Sequence, residues 1–228
     1  MNHYLSATVW TEVPEHPVVL VPLGSTEQHG PHLPFGTDTL IAERTASAVA
    51  GQLTVEGAGP VVVAPSLAYG ASGEHQDFPG TVSIGHDALK VVLVEMIRSM
   101  STWSRCIVLI NGHGGNTATV QRVVEQMRYE QHNVLWTSCA LESTTDAHAG
   151  HDETSVLLHL DPKLVNLGSA VVGNTQPLQE ILADLIEQGV RPVSPSGVLG
   201  DPTNADARLG EQQFGLMVGR IVQEVKGA

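Results

Sequence analysis

CIVLINGHGGN, residues 106–116, is an uninterrupted apolar run that stops abruptly at a glycine-rich turn built around a histidine. A run of that kind suits a strand buried on both faces, and such strands belong to parallel sheets covered by helices. Three further runs, at 17–22, 60–65 and 134–137, each lead into a polar loop and then a helical pattern. Repeated β-loop-α predicts an α/β fold, a three-layer α/β/α sandwich with a mostly parallel sheet. Helices are expected to begin near Asp38, Asp87, Asn116 and Asp152, residue types that cap helix N-termini, with later helices over 177–188 and 206–226. Neither an internal repeat nor a linker interrupts the chain, so residues 1–228 read as a single domain.

Ligands of parallel sheets bind beyond the carboxyl ends of the strands. Polar clusters directly after the apolar runs are therefore where chemistry should gather. Four are present: GSTEQHGPHLPFGTD (24–38), YGASGEHQDFPG (69–80), NGHGGN (111–116) and HAGHDETS (148–155).

Composition narrows the function classes. A chain of 228 residues with 42% hydrophobic content can bury a full core. Eleven Lys plus Arg against 24 Asp plus Glu give a formal charge of −13, which repels phosphate backbones and anionic lipid. No nucleic-acid partner is expected. No run approaches the roughly 18 apolar residues of a membrane span, and the first twenty residues lack the pattern of an export signal. Cys106 and Cys139 read as buried, reduced thiols, which fits a cytoplasmic location.

In the first cluster, extended backbone puts Glu27 and His29 on the same side. The loop that follows can fold back to bring Asp38 to the same point, although Asp38 could equally be only a helix cap. In the second, NGHGGN lacks the Lys-Ser/Thr ending of a P-loop and the spacing of a dinucleotide fold. Its glycines, Gly114 and Gly115, would let substrate approach whatever His113 holds. The last cluster crowds His148, His151, Asp152 and Glu153 into six residues. Asp152 is the expected cap there, and Glu153 is either a ligand or a charge that compensates the helix dipole. Taken together, Glu27, His29, Asp38, His113 and Glu153 form an oxygen-rich set with imidazoles and no thiolate, suited to Zn²⁺, Fe²⁺ or Mn²⁺. Two divalent ions bridged by one carboxylate would serve the hydrolysis of an unreactive amide. A serine nucleophile is disfavoured because no G-x-S-x-G elbow is present. Ser72 and His75 are read as pocket residues that could touch substrate, Ser72 having the alternative of a simple turn serine.

These loops, in this order along nearly the whole chain, resemble the creatininase (creatinine amidohydrolase) family. LGSTEQHGPHLPFGTDT looks like its first metal loop, FPGTVSIG like the loop after its second strand, NGHGGN like its second metal loop and HAGHDETS like its last. The resemblance implies a creatininase-like fold, a homo-oligomer, and a binuclear site. In that site Glu27 and His113 hold one ion, His29 the other, and Asp38 bridges both. Cleavage of the amide would further need a proton carried to the leaving nitrogen, a catalytic role expected of His148, which could instead anchor the substrate.

Two departures from the family pattern bear on this. Gly115 stands where creatinine hydrolases carry a glutamate ligand, so Glu153 becomes the candidate to complete the site and to share in catalysis. Thr144 stands where creatinine-specific members place a tryptophan, which argues against creatinine. GEHQDFPGTVSIG, HAGHDETS and SPSGVLGDPT look most like a branch of the family that trims a modified precursor peptide, implying release of a C-terminal Val-Tyr dipeptide. A hydrolase of small cyclic amides or formamides is the alternative enzyme, and a closed, non-catalytic metal-binding domain the alternative of another class.

Overall fold

The computed structural model describes residues 3–141 and 147–227. Four parallel strands, β1 (Val18–Leu23), β2 (Val61–Val63), β3 (Cys106–Asn111) and β4 (Val134–Ser138), form a sheet of order β2-β1-β3-β4. Side chains alternate across it, as period-two geometry requires. Val18, Leu20, Val108 and Ile110 enter one core and Val19, Val21, Ile107 and Leu109 the other. Helices α1 (Thr37–Val55), α4 (His151–Leu160) and α7 (Ala207–Lys226) cover the first face, and α2 (Gly85–Met100) and α3 (Thr117–Tyr129) the second. This is the expected three-layer α/β sandwich. Helices α5 (Leu178–Gln188) and α6 (Val190–Val193) lie at the rim and close a small cluster of their own. No described helix is long and apolar enough to cross a membrane.

The strand order decides where the site must lie. The chain leaves β1 toward β2 on one side and later returns to place β3 on its other side, so β1 and β3 flank the topological switch point. Their last paired residues are Leu23 and Asn111, and Gly112 N donates to Leu23 O at 2.7 Å. The first and third polar clusters therefore emerge side by side. Loop 78–85 braces the first of them: Val82 N donates to Thr26 O at 2.8 Å and Gln28 N to Thr81 Oγ1 at 3.2 Å.

The expected caps do not cap. Gly36, Ile84, Asn116 and Gly150 occupy the N-cap positions of α1 to α4, and none makes a side-chain cap bond. Asp38 and Asp152 sit inside the first turn, because their carboxylates have other partners: Ser25 and His29 for Asp38, His151 for Asp152. Asn116 is diverted too. Its buried amide accepts from Ala71 N at 2.9 Å and donates to Gly24 O at 3.0 Å, stitching together the loops that follow β1, β2 and β3. Among the described α-helices only α7 has a side-chain cap, from Asp206, which accepts from Arg208 N at 2.7 Å.

Replacing that amide leaves a buried N–H and a buried C=O unpaired. Asn116→Leu should cost about 2–3 kcal/mol, read as a fall of several degrees in the thermal midpoint.

Candidate metal centre

Five of the sequence-derived residues meet at the carboxyl end of β1 and β3. Asp38 stands at their centre: Oδ1 lies 3.1 Å from His29 Nε2, and Oδ2 lies 3.2 Å from His113 Nδ1. Glu27 Oε1 is 3.2 Å from His113 Nδ1, and Glu153 Oε1 is 3.6 Å from His29 Nε2. Two donor triads result, Glu27-Asp38-His113 and His29-Asp38-Glu153, each with atoms within 4.8 Å of one another, and Asp38 belongs to both. His148 joins a third with Glu27 and His29.

Hydrogen bonds behind the imidazoles fix which nitrogen faces the centre. His29 Nδ1 is 3.1 Å from the Glu27 carbonyl oxygen, His113 Nε2 is 3.1 Å from Ala71 O, and His148 Nε2 is 2.8 Å from Gln28 O. A carbonyl only accepts, so each of these nitrogens carries the proton. His29 Nε2, His113 Nδ1 and His148 Nδ1 are thereby turned toward the carboxylates. Glu153 divides its carboxylate, since Oε2 accepts from Ala149 N at 2.7 Å while Oε1 faces His29. That contact holds Ala149 in a left-handed conformation, φ 51°, which aims His148 and α4 at the same point.

Three carboxylates this close, Glu27 and Asp38 buried and Glu153 partly so, repel one another, and the imidazoles answer for them. Burial opposes charge on His29, but Glu153 and Asp38 outweigh it and hold its pKa well above the ordinary histidine value. His113 is raised in the same way by Glu27 and Asp38. Burial and Asp38 push Glu27 upward, yet His113 and His75 prevail and bring it to about 2. Neither carboxylate oxygen of Glu27 has a hydrogen-bond partner, although both are buried. A buried carboxylate held only by ion-pair contacts to imidazoles, without a well-formed hydrogen bond, is costly in any folded protein. Together with imidazole lone pairs converging on the same space, it makes the donor set a fit for hard or borderline divalent cations.

Sequence reasoning passed over Gln28 and Glu74. Gln28 Oε1 accepts from Gly30 N at 2.8 Å, which orients its amide so that Nε2 donates to His75 Nδ1 at 2.8 Å. His75 therefore presents Nε2–H toward Glu27 Oε1, 3.4 Å away. Burial, aided by His148, lowers the His75 pKa to about 3. The alternation that pairs Glu27 with His29 puts Gln28 on the other side, so nothing in the local pattern marks it. Glu74 approaches the opposite edge of His113, with Oε1 3.6 Å from Nε2. It does so beside Gly115, where a Cβ would lie 2.4 Å from Ala71 O and from His113 Nε2 and 2.6 Å from Glu74 Oε1. A side chain at 115 has no room.

A cavity of about 810 Å³ opens from the cluster, and His75, Gly114, Gly115 and His148 line it. Ser72 does not. It is fully buried, with Oγ 3.4 Å from His113 Nε2, so its hydroxyl backs the histidine rather than reaching the cavity. His151 turns away to Asp152 and to Asn204 O. Thr144 lies outside the described residues. Cys106 is buried and Cys139 partly buried, and both are free thiols.

Residues 6–225 match the creatininase family, described as creatinine amidohydrolase. The chain is 51% identical over 210 residues to the mycofactocin precursor peptide peptidase of Mycolicibacterium smegmatis, covering 92% of this chain and 85% of that one. Identity to the peptidase of the same description from Mycobacterium tuberculosis (strain H37Rv) is 48% over 214 residues, with 92% and 84% covered. Among solved structures, a mutant creatininase of Zn-Zn type superposes with a TM-score of 0.82, and a creatininase described with Mn with 0.80. Each is 24% identical and covers all of this chain and 98% of that one, a likeness that shows the fold.

Protons and cations compete for His29 and His113. Both raised pKa values mean that the metal-free protein keeps protons there above the ordinary histidine value of 6.5. Their contribution to metal-free stability is complete below that pH and is lost as pH rises through the raised values. Titration calorimetry with Zn²⁺ or Mn²⁺ should accordingly show apparent affinity that strengthens as pH rises through neutrality, with protons released on binding.

Proposed function

The chain belongs to the creatininase family, and from that premise we propose that it hydrolyses an amide bond of a mycofactocin precursor peptide, releasing a C-terminal Val-Tyr dipeptide. Its reaction class is metal-dependent hydrolysis of C–N amide bonds. The near-full-length likeness to two mycobacterial peptidases carries the peptide assignment. The cavity agrees with it: about 810 Å³ is the size that encloses a drug-sized ligand, far more than one small ring amide fills.

In this reading Glu27, Asp38 and His113 would hold one divalent ion and His29, Asp38 and Glu153 a second, the metal being zinc, iron or manganese. When bound, such ions act as Lewis acids toward an amide carbonyl and make water a competent nucleophile at neutral pH. The rest falls to the chain's own groups. His148 has its Nε2–H fixed on Gln28 O, so Nδ1 is the atom that can accept a proton from the attacking water and return it to the leaving nitrogen. Burial, the largest influence on its pKa, disfavours charge on the ring and keeps it neutral and ready to accept. Hydrolysis then balances: the C–N bond breaks, hydroxyl joins the acyl carbon and the proton joins the amine. Gly114 leaves open space on the cavity wall, with no atom within 4 Å of where its Cβ would stand, so the peptide backbone can lie close to the reacting centre. Glu153, beyond holding an ion, fixes the turn that aims His148. A homo-oligomeric assembly and a cytoplasmic location complete the proposal.

Mass spectrometry of a precursor-like peptide ending in Val-Tyr, incubated with metal-loaded protein, should show loss of the dipeptide, prevented by chelator. An intact peptide beside ring-opened creatinine would assign the chain to the cyclic-amide branch instead. His113→Ala should lose about one ion's worth of metal together with activity, by a factor of roughly a hundred or more. His148→Ala should keep its metal and lose roughly 10²–10⁴-fold in turnover. An unchanged rate in the second variant removes His148 from the mechanism.

A further inference from the structure

Helix α5 carries more apolar surface than its packing uses. Ile181 and Leu185 are its buried stripe, packed with Val190, Leu199 and Phe78. Leu178, Leu182 and Ile186, spaced four apart and therefore on one side of the helix, remain 45%, 45% and 79% exposed. All three, with Leu185, line the same cavity that reaches Glu27, His113 and His148. An apolar row at this place faces the cavity that serves the candidate metal centre.

The row is also held in register with the centre. Gly189, φ 77°, ends α5 so closely against the backbone of Glu74 that a Cβ there would meet Glu74 O at 3.0 Å. The turn it rests on carries Glu74 and His75 into the site. Leu199, packed behind α5, donates its N–H to His148 O at 2.9 Å. One short segment thus fixes both the imidazole and the apolar wall. Away from the buried cluster, the carboxylates of Glu74, Asp77 and Glu187 share the cavity with the row, and neither Lys nor Arg is found among the described lining residues.

We propose that Leu178, Leu182 and Ile186 form the subsite that seats an apolar side chain of the peptide next to the scissile bond, and that the acidic rim excludes anionic side chains from it. The proposal rests on the peptidase reading. Selectivity for the peptide then resides in α5, whereas bond cleavage resides in the buried cluster. Because the three residues are exposed, replacing them removes contact with substrate without opening the core.

Steady-state kinetics of the metal-loaded protein on the peptide ending in Val-Tyr, and on companions with Ala or Asp in place of either residue, test this. For the wild type, Asp at the seated position should abolish measurable cleavage. Leu182→Asp and Ile186→Asp should each raise KM roughly tenfold or more on the parent peptide, with metal content and kcat retained, while Leu182→Met keeps the parental KM. On the companion whose seated residue is Ala, the same variants should lose little further, the non-additivity of groups in contact. An unchanged KM in both Asp variants, whatever happens to kcat, overturns the subsite. So does a rise in KM that accompanies a changed oligomeric state in sedimentation, which would assign this face to a second copy of the chain. If the wild type leaves every peptide intact, the peptidase reading itself falls and the subsite with it. A wild type that cuts beside a variant that cuts equally well sinks the subsite alone.

Discussion

Three carboxylates, Glu27, Asp38 and Glu153, converge where water is largely excluded, and that arrangement can persist only if positive charge is supplied among them. His29 and His113 supply it as protons when nothing else does, which is why both are raised so far above the ordinary value. Much of the surrounding structure serves to hold these groups together. Ser25 donates to Asp38 Oδ2 at 2.7 Å, and backbone carbonyls pin the far nitrogens of three imidazoles. Gln28 and His75 form a relay that presents a donor toward Glu27. Without those protons, the carboxylates and imidazoles aim their lone pairs at one shared space. Its residues are arranged for cations.

The sheet explains why this concentration of charge is tolerable. Strands buried on both faces, such as Val18–Leu23 and Cys106–Asn111, provide a rigid apolar platform, and the switch point between them opens a crevice at their carboxyl ends. Repulsion among the carboxylates is resisted by packing far from the site, through α1, α4 and α7 on one face and α2 and α3 on the other. Asn116, which bonds to Ala71 and Gly24, transmits that rigidity to the loops. In the proposed reading labour divides: the fixed cluster would break the bond, and the more exposed rim around α5 would meet the substrate. Glycine at 115 belongs to the same economy of space, since Glu74 and the Ala71 carbonyl crowd against His113 there.

The fold was legible because its signal is local. Apolar runs bounded by turn residues announced all four strands, and the helical patterns after them announced the layers. Five of the residues that converge were legible for a related reason: His, Asp and Glu stood out in loops whose position the parallel-sheet rule assigns to one rim. The caps were misjudged because a helix N-terminus competes for the same side chains as a polar site, and the site took Asp38 while the loop stitching took Asn116. Ser72 was placed in the cavity because a loop hydroxyl looks the same from sequence whether it faces a ligand or the back of a histidine.

By itself, then, the sequence determined the α/β class, the order of its elements and the residues from which a metal centre can be made. Periodicity and residue chemistry are properties of neighbours along the chain, and those survive without coordinates. Only the tertiary structure decided that Asp38 offers one oxygen to each of two histidines, that Gln28 sets the His75 tautomer, and that Glu74 stands beside Gly115. It alone brought α5, more than 60 residues beyond His113 in sequence, to the wall of the cavity. Orientation and convergence depend on groups distant in the chain, and burial, which makes each of these contacts matter, exists only once the whole core has formed.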